Sequence, residues 1–175
     1  MGARAARNKN GATDGRFRVL FVCTGNICRS PTAEGVFAAL AASRGMAARV
    51  AAESAGISGY HKGEAPDSRA QDCARARGVE LGGQRARRVE PSDFDRFDLI
   101  LAMDRSHLAA LRRAAPPGAA DRIRLFLDFA PRSGVKDVPD PYYGGIGGFD
   151  RVYELIEAGA AGLLDHIGAR QPAAR

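Results

Sequence analysis

Continuous apolar runs alternate with amphipathic stretches along most of the chain. Apolar residues recur at helical spacing after the first run, as Ala33, Val36, Phe37 and Leu40. Strands that alternate with helices predict a single α/β domain with a parallel sheet. The runs that are typical of short strands buried in such a sheet are residues 17–22, 49–56, 97–103 and 121–126.

Helix ends and loops are predicted from the same pattern. Ser30 is expected to cap the first helix, with Pro31 at its first helical position. The segment 131–148 is rich in glycine and proline, and a loop of this length in a compact domain usually carries function. Further helices are predicted at residues 67–79, 104–115 and 149–167.

The net charge of +6 comes from the two ends of the chain. Residues 1–18 and the last six residues hold seven of the 26 basic residues and one of the 20 acidic ones, so the rest carries no net charge. We interpret 1–16 as a flexible basic extension, 17–168 as the domain and 169–175 as a flexible tail. Because a nucleic-acid-binding domain usually carries a basic stripe on its folded surface, no nucleic acid is expected as a partner.

The remaining composition points to a cytoplasmic protein without a cofactor. No apolar run approaches the roughly 18 residues that a membrane span needs, and no secretory signal precedes the domain. Three cysteines form an odd set, which favours reduced thiols over a disulfide framework. The three histidines are scattered, so no metal site is predicted. We expect a monomer.

The segment CTGNICRS, residues 23–30, joins the first predicted strand to the first predicted helix. Such a turn binds anions, because N–H groups are unpaired at a helix N-terminus and the helix dipole is positive there. Gly25 and Asn26 tolerate the backbone conformations that let consecutive N–H groups converge. A thiolate is favoured at Cys23, and Arg29 offers a fork that matches two phosphate oxygens. The turn therefore suits nucleophilic displacement at phosphorus.

This displacement needs an acid that protonates the departing oxygen. The segment DPYY in the long loop supplies Asp140, which Pro141 holds in an extended conformation. The motif alone would also fit the alternative that Asp140 only forms a turn and takes no part in a reaction.

The string VCTGNICRSP, followed by DPYY, resembles the low-molecular-weight protein tyrosine phosphatases over roughly residues 17–168. The resemblance implies a four-stranded, parallel, flavodoxin-like sheet and hydrolysis of phosphotyrosine and aryl phosphates through a cysteinyl-phosphate. It implies Cys23 as nucleophile, Arg29 as phosphate clamp and Asp140 as general acid, then base. It further implies Ser30, Asn26 and Ser54 as supporting residues. The phosphate-binding loop would consist of Thr24, Gly25, Asn26, Ile27, Cys28 and Arg29.

Positions around the loop favour a phosphotyrosine-containing protein as the substrate. The related protein arginine phosphatases carry a threonine in place of Ile27 and lack the tyrosine found here as Tyr142. Tyr142 and Tyr143 are expected to form one wall of a cleft, and Tyr60 is expected to form the opposite wall. The cleft is expected to be deep. A deep cleft would exclude phosphoserine, because its short side chain could not bring the phosphorus to the nucleophile.

Several features leave alternatives open. Cys28 either protects Cys23 by forming a disulfide or packs as a small side chain. Gln84 occupies the place of a histidine that braces the loop asparagine in many family members. The nearby arginines, Arg85, Arg87 and Arg88, are interpreted as a solvated face.

Two other functions are compatible with the same turn. A phosphate-binding module without catalysis would need only the anion site. A thioredoxin-coupled arsenate reductase would need two further cysteines, whereas only Cys73 lies beyond the loop.

Overall fold

The computed structural model describes residues 14–142, 144 and 147–170. Its centre is a sheet of four parallel strands in the order β2-β1-β3-β4, which confirms the predicted fold class. The strands are β1 (Phe17–Cys23), β2 (Val50–Gly56), β3 (Leu99–Ala102) and β4 (Ile123–Leu125).

Helices account for most of the remaining chain. The α-helices are α1 (Arg29–Ser43), α2 (Ser68–Arg75), α3 (Asp93–Arg96), α4 (Arg105–Ala114) and α5 (Gly148–Arg170). Three short 3₁₀ turns lie at Ala120–Arg122, Phe126–Phe129 and Pro131–Ser133. In the described residues, no helix combines the length and the apolar character that a membrane crossing requires.

Most element boundaries differ from the predictions by a few residues. Helix α2 ends at Arg75 because the chain then turns to Gly78, which has a positive φ of 79°. Helix α5 continues to Arg170, two residues beyond the predicted end of the domain. Helix α3 and the 3₁₀ turns were not predicted, since elements of three or four residues carry too short a period to detect.

Alternate residues of β1 enter different cores on the two faces of the sheet. Val19 and Phe21 pack with α1 and α5, where the Phe21 ring meets Phe37 edge-on at a centroid distance of 5.6 Å. Leu20 and Val22 pack on the opposite face with residues of α3, α4 and β4. Strand β1 is therefore buried on both faces, which fixes the position of its last residue.

Strand β1 pairs with β2 on one side and with β3 on the other. The connection that leaves β1 runs to β2 on one side, and the connection that leaves β3 runs to β4 on the other, so a crevice opens at the carboxyl ends of β1 and β3. Ligands of open α/β sheets bind at this kind of switch point. Cys23 is the last residue of β1 and lies at that position.

Candidate active site

The loop between β1 and α1 turns its carbonyl groups toward the surrounding protein. The carbonyl oxygens of Cys23, Thr24 and Ile27 accept hydrogen bonds of 2.7 to 2.9 Å from backbone N–H groups in residues 57–67. Since the N–H of a peptide unit points away from its C=O, the following N–H groups face the inside of the loop. Asn26 makes this curvature possible: among the described residues it alone has a positive φ without being glycine, at 57°.

Two hydrogen bonds from Asn26 orient the hydroxyl group beside the Cys23 thiol. The Asn26 amide nitrogen donates to Ser30 Oγ at 2.8 Å and to Ser54 Oγ at 2.9 Å. Ser30 Oγ therefore has its own hydrogen available for Cys23 Sγ at 3.0 Å, and the carbonyl oxygen of Ala55 is a weaker acceptor at 3.4 Å. The Ser30 hydroxyl is thus oriented toward the Cys23 sulfur.

Two residues that the sequence did not single out for this purpose fix the direction of these bonds. The backbone N–H of Arg87 donates to Asn26 Oδ1 at 3.1 Å, which decides how the amide is oriented. Ser54 Oγ donates to Glu34 at 2.6 Å, so Ser54 remains an acceptor toward Asn26. Burial raises the pKa of Glu34 above its usual value, although the hydrogen bond from Ser54 opposes this.

Gln84 supports this group of residues indirectly. Its amide nitrogen donates to the carbonyl oxygen of Pro31 at 2.9 Å, and its amide oxygen lies 3.5 Å from Ser54 Oγ. It thus reaches the serine that contacts Asn26, whereas the Asn26 side chain itself forms hydrogen bonds with Ser30, Ser54 and Arg87.

The structure corrects two local interpretations. Ser30 was predicted to cap α1, but the helix already begins at Arg29, and the Ser30 hydroxyl faces Cys23 instead. Arg87 was interpreted as part of a solvated face. Its guanidinium binds Glu53 at 3.1 Å and the fully buried carboxylate of Asp93 at 2.9 Å, because its segment packs against the end of β2.

Arg29 lies in the loop with its charge buried and paired. Its Nη1 donates to Asp104 Oδ2 and to the carbonyl oxygen of Val138, both at 2.9 Å. Its Nη2 lies 3.6 Å from Asp140 Oδ2 and 3.4 Å from Thr24 Oγ1. The guanidinium is thereby held in one plane at the loop, with Nη2 at the side where Asp140 lies.

The acidic partner of Arg29 is ionised. Burial of Asp104 works against its charge, but hydrogen bonds from Ser106 and from the N–H of His107, together with Arg29, keep its pKa below the usual value. The buried imidazole of His107 places Nε2 2.8 Å from Thr24 Oγ1. Neither contact was predicted from the sequence, because both join segments that are distant along the chain.

Asp140 and Cys23 line the same cavity of about 430 Å³. The Asp140 side chain is 41% exposed, and its Oδ1 accepts a hydrogen bond of 3.0 Å from the N–H of Tyr142. The structure thus brings together the three residues that were predicted to react, Cys23, Arg29 and Asp140.

Aromatic side chains stand at the mouth of this cavity. Tyr60 and Tyr142 both line it, with exposed fractions of 85% and 42%, and Ile27 is buried at its wall. The predicted role of Tyr143 falls outside the described residues. His61 was not predicted: its ring lies over Gly25, and its Nδ1 is 2.8 Å from Glu64.

The cysteines are free thiols in this structure. Cys28 is buried with Ile27 and Ala86, and burial together with the nearby Asp67 and Cys23 raises its pKa to about 12. Cys73 lies on α2 between Arg77 and Asp150 and does not line the cavity. A relay of thiols outward, as arsenate reduction requires, is therefore not supported by Cys73.

The chain matches known proteins over nearly all of its described length. Residues 18–173 match the family of the low molecular weight phosphotyrosine protein phosphatases. A low molecular weight protein-tyrosine-phosphatase of Streptomyces coelicolor is 47% identical over 85% of this chain and 92% of that protein. The crystal structure of YfkJ from Bacillus subtilis superposes with a TM-score of 0.84 at 42% identity, covering 89% of this chain and 97% of YfkJ.

A drosophila arginine phosphatase has the same fold, with a TM-score of 0.79, 32% identity and coverage of 85% of this chain and 97% of that one. The fold alone therefore does not separate substrates within the group. The extent of the match and the level of identity do establish the family. This chain belongs to the low-molecular-weight protein-tyrosine phosphatases, which are phosphoric monoester hydrolases.

Proposed function

We propose that this enzyme hydrolyses phosphotyrosine in proteins, and aryl phosphates generally, through a cysteinyl-phosphate intermediate. The observation that carries the proposal is the convergence of Cys23, Arg29 and Asp140 on one cavity. Each residue has the chemistry that one part of the reaction needs: a nucleophile, a cation for the phosphoryl oxygens and an acid for the leaving group.

The first step transfers the phosphoryl group to sulfur. Cys23 Sγ attacks phosphorus, an S–P bond forms, and the bond between phosphorus and the tyrosyl oxygen breaks. Asp140 gives its proton to that oxygen, so the product leaves as neutral tyrosine. The loop N–H groups and Arg29 stabilise the charge on the phosphoryl oxygens, which requires no bound metal.

The second step returns the enzyme to its starting state. The carboxylate of Asp140 accepts a proton from water as the water oxygen attacks phosphorus. The S–P bond breaks, and inorganic phosphate and a thiolate result. The hydrogen bond that Ser30 Oγ directs at Cys23 Sγ stabilises the departing thiolate.

The shape of the cavity favours an aromatic leaving group. Ile27 offers an apolar wall, and Tyr60 and Tyr142 at the mouth present ring surfaces to a substrate ring. A guanidinium group would find no additional polar partner at Ile27. We therefore propose phosphotyrosine rather than phosphoarginine as the substrate.

Substitution of the two reacting side chains tests the chemistry. Cys23→Ser should abolish turnover of p-nitrophenyl phosphate while phosphate binding, measured by calorimetry, persists. Asp140→Ala should lower kcat/KM on phenyl phosphate by about 10² to 10⁴, the usual contribution of a general acid. Its effect on p-nitrophenyl phosphate, which has a better leaving group, should be smaller. Turnover by the Cys23→Ser variant would refute the mechanism.

A matched set of phosphopeptides tests the substrate class. Peptides that differ only in carrying phosphotyrosine, phosphoserine or phosphoarginine should be ranked by kcat/KM, with phosphotyrosine first. Ile27→Thr is the companion variant, and it should narrow the gap between phosphotyrosine and phosphoarginine. A wild-type preference for phosphoarginine would contradict the proposal.

We further propose that the enzyme acts in the cytoplasm as a monomer without a cofactor. The three free thiols support a reducing compartment. Cys28 lies in the same loop as Cys23, and the two groups interact electrostatically. Under oxidising conditions this supports a reversible disulfide between them, which would protect the Cys23 sulfur from irreversible oxidation.

A further inference from the structure

We infer that Arg69 is a positioning residue for the general acid, because it ties the segment that carries Asp140 to the phosphate-binding loop. The inference rests on the proposed function, since it assigns Arg69 a role in the step that Asp140 performs. Arg69 lies on α2, outside both segments.

On one side, Arg69 is anchored to the phosphate-binding loop through Asp67. The guanidinium Nε and Nη2 donate to the two carboxylate oxygens of Asp67, each at 3.0 Å. The N–H of Asp67 donates to the carbonyl oxygen of Ile27 at 2.7 Å, which joins this residue directly to the loop. Asp67 also caps α2 by accepting a bond from the N–H of Arg69 at 2.9 Å. The position of Arg69 is thus defined relative to the loop.

On the other side, Arg69 contacts the segment that follows Asp140. Its guanidinium carbon lies 5.2 Å from the ring centroid of Tyr142 and 4.8 Å from that of Phe149. Its Nη1 donates to the carbonyl oxygen of Tyr142 at 3.4 Å. Tyr142 in turn donates its N–H to Asp140 Oδ1 at 3.0 Å. The contacts therefore lead from the loop to the carboxyl group of the acid.

Asp140 is consequently held on both sides along the chain. Arg29 binds the carbonyl oxygen of Val138, two residues before the acid. Arg69 binds Tyr142, two residues after it. The first tether comes from within the phosphate-binding loop, and the second comes from a helix outside it. Together they set the distance between the acid and the phosphoryl group.

An arginine suits this position for a geometric reason. Its planar fork can bind a carboxylate in its own plane while its faces remain available to aromatic rings. An exposed ion pair of this kind contributes little to stability by itself. A small displacement of a catalytic group, by contrast, lowers the rate strongly. We therefore expect loss of Arg69 to affect proton transfer more than folding or phosphate binding.

Arg69→Ala should be compared with Arg75→Ala. Arg75 lies on the same helix, is similarly exposed, and pairs with Asp72 and Glu80 away from the cavity. For Arg69→Ala we expect kcat/KM on phenyl phosphate to fall about tenfold, a part of what a general acid contributes. The loss on p-nitrophenyl phosphate should be under about threefold, since this leaving group needs less protonation. The inhibition constant of inorganic phosphate should stay unchanged, and Arg75→Ala should resemble the wild type throughout.

A double-mutant cycle with Asp140→Asn separates positioning from general support of the fold. If Arg69 acts through the acid, the variant that carries both substitutions should be no slower on phenyl phosphate than Asp140→Asn alone. Additive losses, or an equal loss on both substrates with weaker phosphate inhibition, would overturn the inference. A wild-type enzyme without activity on either aryl phosphate would instead refute the proposed function.

Discussion

Burial determines the charge of His107, and through it the behaviour of Thr24 in the phosphate-binding loop. The imidazole is 3% exposed, and burial lowers its pKa to about 4 despite the carboxylate of Asp104 at 3.2 Å from Nδ1. The neutral ring pairs with Thr24 Oγ1 through Nε2 in either tautomer, because a hydroxyl group can both donate and accept a hydrogen bond. Burial of this ring thus keeps the loop threonine bonded to an uncharged partner.

The same burial makes stability depend on pH. The pKa of His107 is about 4 in the folded chain and 6.5 in its ordinary state, so between these values the unfolded chain binds more protons. The contribution of His107 to the free energy of unfolding is therefore fully present above pH 6.5. It is lost as the pH drops toward 4, by at most about 3 kcal/mol. Urea unfolding at several pH values should show this loss in the wild type and a smaller one in His107→Gln. An equal loss of unfolding free energy with falling pH in both proteins would contradict this role for His107.

At the residue scale, the sequence pointed to the proposed reacting groups and to the nearest residues that support them. Cys23 and Arg29 belong to one continuous string, whereas Asp140 needed the resemblance to a family in addition to its short motif. Glu34, His107 and Arg69 act on partners 20 or more residues away in the chain. No local pattern records such contacts, because they exist only once the strands and helices have assembled.

At the scale of elements, the packing of α5 depends on glycines that face the 3₁₀ turn at Phe126–Phe129. A Cβ on Gly159 would lie 2.6 Å from the Phe126 ring, and one on Gly162 would collide with the carbonyl oxygen of Phe129. The backbone of α5 therefore approaches the turn more closely than any other residue type would allow. Because of this close approach, α5 and the turn pack into one core with α1 and β1.

Substitution along α5 tests this approach. Gly162→Ala should lower the free energy of unfolding by at least about 2 kcal/mol, because the backbone has to move away from Phe129. Gly168→Ala is the matched control: its Cβ would meet only Met46 Cε at an ordinary 3.8 Å, so alanine should stabilise the helix by up to about 1 kcal/mol. Both values follow from urea unfolding. Similar effects at the two positions would show that the helix does not depend on the close contact.

The elements themselves were largely predictable, and their ends were not. Hydrophobic periodicity located the four strands and the long helices, since burial on a sheet imposes it. Strand β4 is shorter than expected, because Asp121 and Arg122 belong to a 3₁₀ turn whose hydrogen bonds the pattern does not reveal. Helix α1 begins at Arg29, two residues before Pro31, which was predicted as its first helical position.

At the scale of the whole molecule, phosphate binding should stabilise the fold. A ligand that binds only the folded state at 100 times its Kd adds about 2.7 kcal/mol to the free energy of unfolding. Inorganic phosphate should produce this increase in the wild type and in Asp140→Asn, because the acid contributes little to ground-state binding. Arg29→Met should abolish the increase, since it removes the cation of the site. An undiminished increase in Arg29→Met, measured by urea unfolding, would exclude this role for Arg29.

The bonds of the phosphate-binding loop extend to distant stretches of the chain, among them residues 54–58, Asp67, Arg87 and Asp104. Freeing the loop means breaking contacts with all of them, so we expect the loop to change its shape only in openings close to global unfolding. The stretch around Asp140 is held through Asp137, Val138 and Tyr142, and we expect it to open at a lower free energy. The sulfur of the proposed nucleophile would thus lie in a stretch that opens rarely, and the proposed acid in one that opens and closes many times between unfolding events.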